Sequence, residues 1–570
     1  MLRISQLKLP VTHTEEDLKK KIVHTLMCMK DMRMKMIRLN QLKLPVDHTR
    51  EQLIHKTAQY LRIPAADILE LQIVRQSLDA RKKPELFYVY TVDVKADNEK
   101  QLLKMLTRKK RAGNVQLHEA MPYVFPAGGN EKLKSRPVVV GCGPAGLFCA
   151  YFLAEYGYQP VLLEQGAPVE ERQKDVEEFW KTGVLKPDSN VQFGEGGAGT
   201  FSDGKLTTRI NDSKITDVIE AFVEAGAPPE IKYLHKPHIG TDILRIVVKN
   251  IREKIKALGG EIFFNSQVTD FIIKDDKICG VEINHKEKFT ASDVFLGIGH
   301  SARDTYELLY SKGISMEAKP FAIGVRIEHP QDLIDKAQYG EDYKSELLPV
   351  ADYSLTYNNR QKGRSVYSFC MCPGGQVVAA ASELGRVVVN GMSNYKRNSG
   401  IANSALLVNV TPDDFGHNVL DGIAFQRHYE EMAYICGGRN YHAPVQTVGD
   451  FLKDKVSDDN FLVEPTYKPG VKICNLRECL PDFTTQMLAE ALPNFDKKIP
   501  GFAGEHVVMT GVEMRSSAPC RIIRNRQTYM SENVRGLYPI GEGAGYAGGI
   551  MSAAVDGVNA AYAYIENIIE

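Results

Sequence analysis

Residues 138–166, VVVGCGPAGLFCAYFLAEYGYQPVLLEQG, constrain the fold of this chain more than any other stretch. They read as a strand, a tight glycine turn, a helix, and a second strand that ends in an acid. Gly141, Gly143 and Gly146 are spaced G-x-G-x-x-G, with Pro144 and Ala145 between the last two, and Glu164 follows Gly141 by 23 positions. Gly141 permits the turn, Gly143 lets the backbone approach a pyrophosphate, and Gly146 lets helix and strand pack closely. The helix N-terminus then offers unpaired N–H groups to the anion. Glu164, with Gln165 beside it, stands where a carboxylate accepts both hydroxyls of an adenosine ribose. The bare motif is weak, but here strand, turn, helix and acid come in the required order, which disfavours a glycine turn without a ligand.

The C-terminus separates FAD from NAD. Residues 536–557 read GLYPIGEGAGYAGGIMSAAVDG, and an apolar helix follows. A flavin needs a polar contact for its ribityl chain and second phosphate. Its N1/O2 edge needs N–H donors, because negative charge gathers there on reduction. Gly541 and Glu542 end a short strand, and Gly548, Gly549, Ile550 and Met551 open the helix. Glu542 supplies a carboxylate, and Ile550 and Met551 can point N–H groups at the ring edge. Two nucleotide-contacting elements about four hundred residues apart favour FAD over NAD alone.

The chain resembles a family, the uncharacterised FAD-dependent dehydrogenases of bacteria (NAD(FAD)-utilizing dehydrogenases), within the glutathione-reductase-type FAD fold. The resemblance rests on FGEGGAGTFSDGKL (193–206) and the closing GEGAGYAGGI. Further matches are PFAIGVRIEHPQ (320–331), GIGHSARDT (297–305) and MRSSAPCRIIR (514–524), and together these span most of 36–570. It implies FAD extended through one domain with its ring facing a second, and leaves the reaction unassigned. By the same analogy Val268 presents its backbone to the adenine, and Gly299, His300, Ser301 and Arg303 lie near the pyrophosphate. Arg515, Ser516, Ser517, Arg521 and Arg524 approach the flavin from the second domain.

Length and composition agree. The chain has 570 residues, enough for three or four domains. Lys plus Arg equals Asp plus Glu at 71 each, so no global charge points to nucleic acid or an anionic membrane. No apolar run approaches the ~20 residues of a spanning helix. The ten cysteines are scattered and lack paired C-x-x-C spacing. The expectation is a soluble, cytoplasmic protein with reduced thiols, no metal and no membrane partner.

The predicted architecture is α/β, α+β overall: a Rossmann-like FAD-binding domain, a second mostly β substrate domain, and an N-terminal ferredoxin-like α+β domain. Residues 2–22 repeat at 37–57, so 1–35 read as a partial duplication or leader. Residues 36–125 alternate strand-like and helical runs in an order that suits a ferredoxin-like sandwich. Residues 126–136 read as a linker, 137–318 as the first part of the FAD domain, 319–505 as the second domain and 506–570 as the C-terminal part of the FAD domain. Lys104, Arg108, Lys109, Lys110 and Arg111 form a basic cluster. Solvated helix ends often carry such charges, and no aromatic interleaving supports a nucleic-acid patch.

The glycine segment 194–204 should lie against the flavin ring, because side chains would block close backbone approach. Gly196, Gly197, Gly199 and Thr200 belong to that approach, and Ser202 and Asp203 are candidates for hydrogen bonds to the ribityl chain or ring. A helix over 239–258 takes Thr241 or Asp242 as its N-cap. In the second domain PFAIGVRIEHP reads as a strand pair. Arg326, Glu328, His329, Cys370, Cys372, Ser393, Asn403 and Ser404 are candidates to face substrate. Glu328 and His329 are acid–base candidates, although a strand-end His before Pro is more often structural. Cys370 and Cys372, alternate residues on a strand, should point to opposite faces, which argues against a redox pair. Cys474 and Cys479 read as core. Arg515 is a candidate to hold a carboxylate or the flavin N1–C2=O edge, against the reading of a salt-bridged surface arginine.

These residues predict an FAD-dependent oxidoreductase that transfers hydride between flavin N5 and an unidentified small-molecule substrate. The single dinucleotide fingerprint leaves NAD(P)H as a transient donor only. Two alternatives stay open: an FAD-containing RNA-binding or RNA-modifying protein, and a flavoprotein in which FAD is structural. The oligomeric state is not specified by the sequence.

Overall fold

The computed structural model describes residues 35–97, 102, 114–119, 133 and 135–569. The described residues form two compact units. One holds those up to 127 with Lys232–His235, and the other holds those from 128 to 231 and from Lys236 onward. The readings for residues 1–34, for the Lys104–Arg111 cluster and for nearly all of the 126–136 linker fall outside the described residues.

The first unit contains β1 (Lys35–Pro45), α1 (Arg50–Leu61), β2 (Ile68–Lys82), β3 (Glu85–Ala96) and β4 (Val115–Glu119). Its sheet has the order β2-β3-β1-β4 with antiparallel neighbours, the ferredoxin-like arrangement. The apolar residues of β1 do not keep strict alternation, since Ile37 and Leu39 are followed by Leu42 and Leu44. A bulge between Leu39 and Leu42, with Gln41 at φ 61°, resets the register so that all four side chains enter one core. Helix α1 starts on a reciprocal cap. The Thr49 hydroxyl accepts from the Gln52 amide at 3.3 Å, and the Gln52 side chain accepts from the Thr49 amide at 2.8 Å.

The second unit is built on a five-stranded parallel sheet. Its spatial order is Leu537–Pro539, Val294–Leu296, β5 (Val138–Val140), β6 (Val161–Leu163) and Glu261–Phe263. In chain order this is 3-2-1-4-5, the doubly wound topology, with its last strand supplied by the C-terminus. The valines and leucines of β5 and β6 are all buried: the helix Pro144–Glu155 packs on these strands, and Val138, Val140, Val161 and Leu163 share a core with Val268, Phe271, Ile278 and Val281 of a three-stranded antiparallel sheet. Helix α2 (Pro144–Glu155) has Gly143 as its N-cap, and α3 (Ile550–Ile569) packs along it. That approach depends on Gly557, where a Cβ would fall 2.0 Å from the Ala145 carbonyl oxygen.

A seven-stranded sheet lies in the same unit. It runs Thr356–Asn359, Arg364–Cys372, Ile401–Val410, Phe321–Pro330, Val508–Glu513, Ala443–Thr447 and Val471–Ile473, antiparallel except at the last pair. Three local expectations differ from what is observed. PFAIGVRIEHP forms one ten-residue strand rather than a pair, since it is buried along its length and has no turn residue to break it. Val508–Glu513 pairs with that strand, so the second sheet continues past residue 505. The helix Thr241–Ala257 is preceded by Gly240 as N-cap, because Thr241 donates to the Thr200 carbonyl and Asp242 accepts from the Tyr395 amide. Among the described residues no helix is long and apolar enough to cross a membrane.

Candidate functional site

A cavity of about 400 Å³ opens in the second unit where the parallel sheet changes direction between β5 and Val294–Leu296. Ligands bind at this switch point in doubly wound folds. Gly141, Gly143, Pro144 and Ala145 form one wall, with Glu164, Gln165, Ser266 and Val268 at one end. Gly299, His300 and Ser301 follow, opposite Gly197, Gly199, Ser202 and Asp203. Glu542, Gly548, Gly549 and Ile550 line it from the C-terminal segment. The far wall belongs to the second sheet and includes Phe369, Cys370, Cys372, Glu513 and Arg515.

The first glycine turn is held by its own acid. Glu164 accepts from the backbone N–H groups of Cys142 at 2.7 Å, Gly166 at 2.9 Å and Gly194 at 3.0 Å. This ties the turn, β6 and the 194–204 loop together. Gly197, at φ 62°, then lies against Gly143, where a Cβ would stand 2.9 Å from the Gly143 Cα. The cradle is therefore bare backbone on two sides. At its base the buried Tyr306 hydroxyl donates to the Gly543 carbonyl at 2.7 Å, with the Gly299 carbonyl at 3.1 Å. That residue links the two ends of the cofactor site, which are far apart in sequence. Tyr306→Phe should lower FAD affinity about five-fold, the worth of one ordinary hydrogen bond, in a titration of flavin-stripped protein.

Several expected residues sit behind the cavity wall. Gly146 and Gly541 make helix packing possible: a Cβ at Gly541 would fall 2.5 Å from the Ala145 Cβ. Gly196 donates to the Cys142 carbonyl at 2.8 Å, and Thr200 is buried beneath the loop. Asp203 reaches the cavity, but Arg397 pairs with both of its oxygens, and the Ser202 hydroxyl is engaged within the loop, donating to the Gly199 carbonyl at 2.6 Å and accepting from the Gly204 amide at 3.0 Å. Arg303 does not face the pyrophosphate region. It is buried against Glu430, Glu383 and Gln426, because its helix turns it toward the second sheet. Arg524 is bound to Asp556 and Arg521 to Glu317, so neither lines the cavity.

The acid–base candidates on the strand Phe321–Pro330 are sealed off. The His329 Nε2 lies 2.8 Å from the Phe502 carbonyl, and burial lowers its pKa to about 4. Glu328 bonds Thr466, and burial raises its carboxyl to about 7. Neither lines the cavity: the two are successive strand residues on opposite faces of the sheet, and each face is covered there, by Phe502 over His329 and by Thr466 over Glu328. Arg326 is also covered, yet it bonds three groups at the cavity wall: Glu513 at 2.8 Å, Asn390 at 3.1 Å and the Cys370 carbonyl at 3.0 Å. It positions the wall.

Arg515 does reach the cavity, although its guanidinium is paired with Glu430 at 2.9 Å through two contacts. Burial alone would raise the Glu430 carboxyl, but Arg303 and Arg515 outweigh it and hold it at about 2. His300 stands nearby on the wall, its Nδ1 2.9 Å from the Ser301 hydroxyl. Burial, then Arg515 and Arg303, lower its pKa to about 3, so the ring is neutral. Glu542 is moved the other way, to about 7, by burial, opposed by Lys319 and the Gly549 amide.

Cys370 and Cys372 do not alternate between faces. The strand is bulged between Phe369 and Cys372, and Cys370 has φ 43°, so both residues line the cavity. Both are free thiols, Cys372 buried and Cys370 exposed. Nothing in local sequence announced this bulge, and Phe369, Asn390 and Glu513, which also line the cavity, belong to no motif. Lys205 was visible within FSDGKL but had no recognisable role there. Among the described residues no group of three His, Cys, Asp or Glu side chains could hold a metal ion.

The residues present fit FAD: a backbone cradle for the pyrophosphate, an acid at the ribose position, and a C-terminal glycine segment opening a helix beside the cavity. Fold and site together define an FAD-dependent flavoprotein with a Rossmann-like cofactor domain, and FAD is its cofactor. Residues 320–516 match a family described as FAD-dependent protein, C-terminal domain-like, and residues 36–95 match a domain of unknown function. An uncharacterised protein of Clostridium beijerinckii is 52% identical over 516 residues, 90% of this chain and 95% of that protein. The chain belongs to the same family as that protein. A thiamine thiazole synthase of Thermotoga maritima is 24% identical over 223 residues, 37% of this chain and 72% of its own length. Among solved structures, glycine oxidase from Bacillus cereus is 11% identical, covering 77% of this chain and 98% of its own, with a TM-score of 0.30.

Proposed function

We propose that this flavoprotein is an oxidoreductase that transfers hydride between flavin N5 and a small organic molecule bound against the second sheet. One observation carries this reading: the cavity continues past the glycine cradle to a wall built by Phe369, Cys370, Asn390, Glu513 and Arg515. A flavin kept only for structure needs no such chamber. Bound FAD supplies a two-electron centre, and the protein orients it and excludes water. Here Arg326 fixes the wall, the Glu430 pair fixes Arg515, and neutral His300 offers a ring nitrogen without adding charge. NADH or NADPH would use the same chamber transiently. We place the protein in a reducing compartment, the cytoplasm, in keeping with free thiols at Cys142, Cys149 and Cys520.

Anaerobic spectroscopy of the yellow protein tests this. One organic donor from a set of NADH, NADPH and metabolites should bleach the flavin bands. If dithionite bleaches them and no organic donor does, FAD is structural and the proposal fails.

A further inference from the structure

Among the described residues that line the cavity, the charged side chains are compensated except Lys205 and Glu542, and burial moves the Glu542 carboxyl toward its neutral form. Asp203 is paired with Arg397, Glu513 with Arg326, and Arg515 with Glu430. Glu164 accepts three backbone N–H groups, which stabilise its charge. Lys205 also lines the cavity, half-buried, and its ammonium contacts the Met371 carbonyl, with no carboxylate of the described residues within ion-pair distance. Its surroundings do not cancel it. The charges nearby are Arg397 with Asp203 and Lys236 with Asp352 at 2.6 Å, so Lys205 leaves the group with one net positive charge. His238 on the same side adds none, since burial and then Arg397 lower its pKa. Two residues before Met371, Phe369 lines the same cavity and is 37% exposed.

We propose that the substrate is a monoanionic carboxylate with an apolar body, its carboxylate received by Lys205 and its apolar part lying on Phe369. This rests on the oxidoreductase reading above. One uncompensated ammonium matches one negative charge, whereas a phosphate dianion would leave a charge unpaired in a half-buried site. An ammonium serves a carboxylate as a point charge, without the planar fork of arginine.

The test uses FAD-loaded full-length protein, with benzoate and its neutral isostere benzamide as probes, and reads perturbation of the flavin visible bands. Benzoate should bind at least about ten-fold more tightly than benzamide, the worth of a hydrogen bond to a charged group. Lys205→Gln keeps a donor for the Met371 carbonyl but removes the charge, and should abolish that preference. Lys205→Arg should retain it. Flavin content of each variant reports that the site is intact. If yellow wild-type protein shows no preference for benzoate, or Lys205→Gln keeps it, the assignment of Lys205 is overturned while the flavoprotein stands. A colourless wild type that takes up no FAD would instead remove the reading beneath it.

Discussion

Full-length protein carrying Glu430→Ala should lose about 3–5 kcal/mol of stability, the usual cost of stranding a buried charge. Two charges are stranded here. Arg303 and Arg515 both direct paired contacts at this one carboxylate, with Glu430 itself fully buried between them. Arg303 retains Glu383, but Arg515 keeps that residue only at 3.8 Å. Guanidinium unfolding of the FAD-loaded protein measures the loss, and a change below about 1 kcal/mol would show that water solvates the arginines. The pH dependence has a definite sign. The folded pKa, about 2, lies below the ordinary 4.5, so the contribution is complete above pH 4.5 and lost as pH falls toward 2. In Glu430→Ala that part of the acid sensitivity should disappear.

Gly146→Ala should lower FAD retention through purification. The added Cβ would fall 1.9 Å from the Gly141 carbonyl oxygen, and backbone cannot rotate aside as a side chain can. Helix α2 or the first glycine turn must shift, at a cost of about 1–3 kcal/mol for an overpacked contact. Because the turn is the pyrophosphate cradle, that strain appears as a roughly 5–150-fold weaker affinity for FAD. The ratio of flavin to protein absorbance measures it, with far-UV circular dichroism reporting that the fold survives. Equimolar flavin in the variant would mean that the turn tolerates displacement and does not govern binding.

The cofactor end of the site was largely legible because its constraints are local. Gly141, Gly143, Pro144 and Ala145 occupy one turn, Glu164 ends the next strand, and Gly548 to Ile550 open a helix, so spacing places each of them. Arg303 misled for the opposite reason: beside a glycine-rich strand end it resembles a phosphate ligand, and only its buried partner Glu430, 127 residues away, decides otherwise. Glu328 and His329 misled because strand alternation says which residues share a face, not whether that face meets a cleft or a packed loop. Cys370 and Cys372 share the cavity through a bulge that short-range pattern does not specify.

Backbone requirements written into short motifs were sufficient to establish the doubly wound sheet, the ferredoxin-like N-terminal unit and the need for a dinucleotide bearing a flavin. Such motifs work within one or two elements, where sterics and hydrogen bonding leave few alternatives. The substrate chamber is different. Phe369 and Cys370 of one bulged strand, Asn390, Glu513 and Arg515 come from segments far apart in sequence, and the balance of charge that leaves Lys205 uncompensated exists only once Arg397, Lys236, Asp203 and Asp352 are brought around it. Electrostatic pairing depends on distance in space, and that is set by tertiary packing alone.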